Sequence, residues 1–305
     1  MENKNYKFMS AKGRLQYNMT NDYMFRIVLQ KDRETLIGLI CSVLHLSRDE
    51  VDDVIIENPI TPGEAIDDKE YQLDIYVSLN NNTYINLEMQ VLNYNNWPLR
   101  SLAYLSRKFD NLHRGEDYSV IKPVYQIGFL DFTLFEDHPE FFARYQMRNA
   151  RDGYLYTDKF NLLVVELNHT DMASDEDKQY GIDVWARLFK ANSWEEIKMI
   201  TKNNPSLSST AESIYLYNSD EQVRELCRRR EDAIAHEAFQ KKKIEELTSE
   251  NASLTSEVES LSSKNISLVS ENESLVSENE LLHSAISDRD AKLQKYIELY
   301  GDLDQ

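Results

Sequence analysis

Two short segments, Gln72–Leu79 and Thr83–Val91, alternate apolar with polar residues on either side of Asn80-Asn81-Asn82. A period of two puts Leu73, Ile75, Val77, Ile85, Leu87, Met89 and Val91 on one face and Asp74, Glu88 and Gln90 on the other. The pattern predicts a β-hairpin. The two apolar sets share a face only if paired residue numbers sum to an even number, because a slip of one residue would turn one strand over, and a three-residue turn centred on Asn81 makes that sum 162. Asp74 then lies opposite Glu88, with Cβ atoms roughly 4.5–5.5 Å apart. Two carboxylates so placed repel unless a proton or a cation sits between them. The spacing suggests a metal site. The competing reading is a solvated pair on the open face of a sheet.

The rest of the first 220 residues reads as helices and strands around this hairpin. Asn21-Asp22 can cap a helix running to about Leu44, with Phe25, Val28, Leu29, Leu36, Ile37, Ile40 and Val43 at helical spacing. Val54–Glu57 reads as a strand and Thr61–Glu70 as a loop. Trp97-Pro98 opens a helix to about His113 that carries Arg100, Arg107 and Lys108. Val124–Phe129 and the apolar Phe160–Leu167 are strands, the second buried on both faces. Asp175 to about Lys190 is an amphipathic helix, followed by helices at Trp194–Ile200 and Ser213–Tyr217. That order predicts an α/β layered domain.

Beyond it, Leu247, Leu254, Leu261, Leu268, Leu275 and Leu282 recur every seven residues, with Asn251, Val258, Asn265, Asn272 and Asn279 between them. This is a heptad seam with leucine at d and mostly asparagine at a, which favours a parallel, in-register homodimer. A helix over this stretch extends about 60 Å. The alternative is a low-complexity disordered tail. The expected organisation is an N-terminal extension over 1–17, a core domain over 18–220, a connecting helix over 221–243 and a coiled coil over 244–300.

Net charge is −19, of which residues 231–305 contribute −10. An acidic balance argues against non-specific nucleic-acid binding by bulk electrostatics, although a local basic groove can survive it. No segment approaches the roughly 20 apolar residues of a membrane span, and the first 15 residues lack the apolar core of a signal peptide. Cys41 and Cys227 form no CxxC pair, and His113, His138, His169, His236 and His283 show no ligand spacing, so zinc is not expected. A reducing cytoplasm is the expected setting.

The runs Gln72-Leu73-Asp74-Ile75-Tyr76-Val77 and Tyr84-Ile85-Asn86-Leu87-Glu88-Met89-Gln90 resemble the PD-(D/E)xK nuclease superfamily. They are most similar to its recombination-promoting nuclease/transposase (Rpn) branch. Thr20-Asn21-Asp22-Tyr23-Met24-Phe25, Arg100-Ser101-Leu102-Ala103-Tyr104 and Phe160–Leu167 with its following Trp185 helix fit that branch too. The resemblance covers roughly residues 18–200. It implies a restriction-endonuclease-like core, a mixed sheet flanked by helices, that cleaves DNA with Mg2+ (or Mn2+). Asp74 matches the first acid of the motif, Glu88 the second, and Gln90 stands where the superfamily usually has lysine. The resemblance thus makes Asp74, Glu88 and Gln90 the catalytic set and Asp74 and Glu88 the metal ligands, with the Met89 carbonyl a further candidate. Arg100, Arg107 or Lys108 can supply the missing positive charge and contact DNA, and Asp22 or Glu57 can add a carboxylate. Magnesium suits such a set, since it takes oxygen ligands and keeps several waters.

Two functions follow from this reading. One is a metal-dependent DNA endonuclease dimerised by its coiled coil. The other is a catalytically silent scaffold whose coiled coil assembles proteins, favoured by Gln90 in the lysine position and by the acidic charge.

Overall fold

The computed structural model describes residues 6–59, 74–110, 115–202 and 204–301. Gln72, Leu73, the Thr61–Glu70 loop and His113 lie outside them. The chain divides into two compact units, Met1–His236 and Glu237–Gln305.

In the first unit, Asn21 caps α1 (Asp22–Lys31), its side chain accepting from the Met24 amide. The single helix expected to reach Leu44 is interrupted. Asp32 is extended and its carboxylate accepts from the Thr35 amide, which starts α2 (Arg33–Leu44). The same carboxylate accepts from the hydroxyls of Ser209 and Ser213, each at 2.8 Å. Aspartate bonds the backbone better at a cap than within a helix, so the break falls there. The helix expected over Asp175–Lys190 is likewise divided into α4 (Asp175–Tyr180) and α5 (Ile182–Lys190) at Gly181, whose φ of 72° is left-handed.

The strands are β1 (Val54–Ile56), β2 (Ile75–Leu79), β3 (Thr83–Gln90), β4 (Val124–Leu130), β5 (Phe142–Gln146) and β6 (Phe160–Glu166). They form one mixed sheet in the order β1-β2-β3-β4-β6-β5. β1, β2 and β3 are antiparallel, β3, β4 and β6 parallel, and β5 returns antiparallel to β6. The fold is the α/β, restriction-endonuclease-like arrangement expected from the sequence. β5 is an addition: its mixed Phe-Ala-Arg-Tyr-Gln composition carries no clear alternation, because it is an edge strand with one side wet.

The hairpin has the expected register, Ile75 pairing with Leu87 and Leu79 with Thr83. Asn80 and Asn81 turn the chain with φ of 48° and 51°, values that asparagine tolerates better than most residues. Ile75, Val77, Leu79, Ile85, Leu87 and Met89 join Ile127, Phe129, Leu163 and Val165 in the main core against α1, α2, α5 and α7 (Pro205–Ser219).

The other face of the sheet is covered as well. α3 (Trp97–Phe109) crosses from β3 to β4 and places Trp97 with Leu130, Ala143 and Val164, and Leu105 with Val124 and Leu162. Its Trp97 ring lies directly on Gly128, where a Cβ would stand 2.2 Å from the indole. Gly128→Ala is therefore expected to destabilise the protein by about 2 kcal/mol through overpacking, measured as a lowered thermal midpoint. An unchanged midpoint would show that Trp97 has room to move.

α6 (Trp194–Ile200) and α7 lead to α8, which runs from Glu221 to Tyr300. Val223 and Cys227 in its first turns are buried in the main core. In the second unit α8 stands alone. The six heptad leucines are between 46% and 55% exposed. No helix of the described residues is long and apolar enough to cross a membrane.

Candidate active site

One step beyond the Ile75–Leu87 pair, the hairpin register sets Asp74 opposite Glu88. The solvated reading fails here. Asp74 is 5% exposed, Glu88 3% and Gln90 6%, because α3 roofs this side of the sheet. On β4, Gln126 pairs with Asn86 and Gly128 with Glu88, so the polar even positions of β3 sit against a small residue and an amide.

Every carboxylate oxygen here has to find a partner other than bulk water. Arg100 on α3 reaches Glu88 Oε1 at 2.7 Å and donates to Gln90 Oε1 at 3.3 Å. Gln126 donates to Glu88 Oε2 at 3.2 Å, and Asn86 donates to Gln126 Oε1 at 2.8 Å. Asn86 Oδ1 is buried with no hydrogen-bond partner among the described residues.

Burial pushes both carboxyls above their ordinary values. For Glu88 the charge of Asp74 adds to burial, and for Asp74 burial outweighs the opposing pull of Arg100. Arg100 and, at Asp74, Arg26 draw the carboxyls the other way, but burial outweighs them and the pair still favours a proton or a cation.

The backbone of Asp74 is held from beneath by a residue that the sequence reading passed over. Arg26 on α1 is fully buried and donates to the carbonyls of Asp74 and Asn58. Asn58 also donates to the Asp74 carbonyl at 2.9 Å and accepts from the Tyr76 amide at 2.9 Å. Burial lowers the Arg26 guanidinium to about 10, which leaves it charged at neutral pH. Its signal in the sequence is a lone arginine inside the otherwise apolar run from Tyr23 to Leu29.

The remaining candidates are placed elsewhere. Lys108 pairs with Glu57 at 2.7 Å and lies over the rings of Tyr76 and Tyr84. Arg107 stands 6.0 Å from the centre of the Tyr104 ring. Asp22 is buried and ion-paired with Arg230 at 2.6 Å. Arg230 thus faces inward to α1, whereas Arg228 and Arg229 take surface partners, Glu225 and Asp232. Of the three cations considered from sequence, Arg100 is the one in contact with the carboxylates.

Among the described residues no group of three or more His, Cys, Asp and Glu side chains is arranged to hold a metal ion. Two buried carboxylates facing each other, with the unpartnered buried Asn86 Oδ1 on the same strand, nevertheless form a donor set of the hard, all-oxygen kind that magnesium and manganese accept with few protein ligands.

The family model for the PD-(D/E)XK nuclease family transposase matches residues 19–246, more than half of the chain. No curated protein and no solved structure matches.

Proposed function

Because the chain belongs to the PD-(D/E)XK nuclease family transposases, we propose that it hydrolyses DNA phosphodiester bonds with magnesium or manganese held by Asp74 and Glu88. The family supports nuclease-type function, and its members generally use a divalent ion. The observation that carries the finer reading is the buried Asp74/Glu88 pair with a single guanidinium between it and solvent. Two facing buried carboxylates are costly to fold, and a bound cation offsets their repulsion.

In this reading Asp74 and Glu88 fix the ion, which supplies an activated water and neutralises charge on the phosphate. Arg100, bridging Glu88 and Gln90, aims a fixed positive charge at the site and takes the part of the usual lysine. Gln90 orients a water or phosphate oxygen through its amide, but it cannot accept a proton near neutral pH. Gln126 and Asn86 hold the carboxylates in position. The test is nicking of supercoiled plasmid by the full chain in magnesium or manganese against chelator. Failure in both metals would pass the reading to a silent scaffold assembled by its tail.

The second part of the proposal is a homodimer through Leu247, Leu254, Leu261, Leu268, Leu275 and Leu282. A parallel, in-register pair sets each a-position asparagine against its own copy, where the amides can bond. Sliding by one heptad would put Asn251 against Val258 and Asn279 against Ile286, burying unpaired amides. A second copy of this chain therefore suits the seam best. Full-length protein is expected to show twice the chain mass in light scattering, and a chain ended at Lys243 the mass of one. Equal masses per chain would remove the zipper from the proposal. The setting proposed is cytoplasmic, in keeping with the free thiols of Cys41 and Cys227.

A further inference from the structure

The hairpin that joins β5 to β6 has no part in the site above, yet it carries two highly exposed aromatic side chains close together. Tyr154 is 77% exposed and Tyr156 80%, with Tyr145 at 38% and Met147 at 49% beside them. The alternation of the ladder settles which way they face. Glu88 is in register with Gly128, Gly128 with Val164, and Val164 with Ala143. Ala143 therefore lies on the face of the sheet that holds the carboxylates, and Tyr145 and Met147 follow it at steps of two. Met147 accepts from the Tyr156 amide at 3.0 Å, and the Asn149 amide donates to the Tyr154 carbonyl at 2.9 Å. These pairings bring Tyr156 and Tyr154 to the same face. Gln146 and Arg148, bonded to each other at 2.7 Å, take the opposite one.

The tip is set before any ligand arrives. Arg148 donates to the Gly153 carbonyl at 3.0 Å, the Gly153 amide donates to the Asn149 carbonyl, and Asp152 accepts from the Tyr154 amide. Gly153 supplies the positive φ of 74° that the turn requires. The charge balance is also local. Residues 144–159 carry four basic and two acidic side chains in a chain whose net charge is −19.

We infer that this hairpin is a second nucleic-acid contact, in which Tyr154 and Tyr156, flanked by Tyr145 and Met147, stack on unpaired bases of single-stranded DNA. Rings standing free at a sheet edge match bases that are out of the helix, since every base offers a flat face and a paired duplex hides it. Arg151, at the tip between the two strands of the hairpin, supplies positive charge of the kind a phosphate backbone demands. A preset hairpin orders little on binding, so the stacking is retained as affinity. The inference rests on the reading of DNA as the substrate, but it concerns binding rather than cleavage.

The test is fluorescence anisotropy of a labelled oligo-dT and of a labelled duplex with the full chain, in chelator so that nothing is cut. Tyr154→Ala with Tyr156→Ala is expected to weaken oligo-dT binding about tenfold or more, from the loss of two stacking rings, and to change duplex binding much less. Tyr154→Phe with Tyr156→Phe keeps the rings and is expected to bind oligo-dT as the wild type does. Oligo-dT binding unaltered in the alanine pair, or equally lost in the phenylalanine pair, would overturn the inference. So would a fall in particle mass in the alanine pair, which would make the patch a protein contact. Asp74→Ala is the control: oligo-dT binding retained there, whatever the plasmid assay gives, separates this contact from the cleavage site.

Discussion

Asp74→Asn is expected to lower metal-dependent nicking about a thousandfold or more, and Glu88→Gln to do the same, with the fold retained. Both changes keep the side-chain volume and remove one of two charges that position the metal and, through it, the developing charge on the phosphate. A thousandfold corresponds to about 4 kcal/mol of transition-state stabilisation, within what a metal site supplies. The same variants have a signature that needs no substrate. Burial raises the folded-state pKa of both carboxyls, so the metal-free protein binds protons that the unfolded chain has released. The contribution of this pair to stability is then fully present below the ordinary carboxylate range near ~4 and is lost as pH rises through the raised values. In Asp74→Asn that decline should be shallower, because one of the two repelling groups no longer ionises. Magnesium or manganese should raise the thermal midpoint of wild type by mass action and leave that of the variant almost unmoved. Wild-type nicking rates in Asp74→Asn, or equal metal stabilisation of the two proteins, would remove these residues from the site.

Arg26→Met is expected to destabilise the protein by about 3 kcal/mol, the range for leaving buried hydrogen-bonding groups without their charged partner. The methionine replaces the aliphatic stem and leaves the carbonyls of Asp74 and Asn58 without the guanidinium. Whatever folds should also bind metal more weakly, since the strand end that presents Asp74 has lost one of its two anchors, Asn58 being the other. Urea unfolding and calorimetric titration with manganese measure the two effects separately. Unchanged metal affinity in the folded fraction would reduce Arg26 to a purely structural residue.

The hairpin was legible because an apolar residue at every second position on both strands excludes odd slips, and the three-asparagine turn selects one of the registers left. Asp74 facing Glu88 follows from that register alone. Their burial does not, since it depends on Gly128 and Gln126 in β4 and on Trp97 in α3, which meet β3 only in three dimensions. Arg100 could be named from sequence together with Arg107 and Lys108, but helical spacing does not say which of three cations on one helix points down. Structure divides them, giving Lys108 to Glu57 and Arg100 to Glu88. The breaks at Asp32 and Gly181 had local signals, a capping aspartate and a glycine, that the continuous apolar spacing around them outweighed. β5 had none, because an edge strand needs no second apolar face.

The root of α8 bears on how separable the tail is. Val223 and Cys227 fill the main core, Asn21 donates to the Cys227 carbonyl at 3.0 Å, and Arg230 is the ionic partner of Asp22, one helical turn before Arg26. A graft that replaced the helix from Glu221 onward would leave Asp22 buried without its cation and open a void beside α1, the helix that steadies Asp74. A graft joined after His236 would leave all of this intact. The helix is exchangeable only beyond that point, and the turns before it belong to the first unit as much as any strand of its sheet.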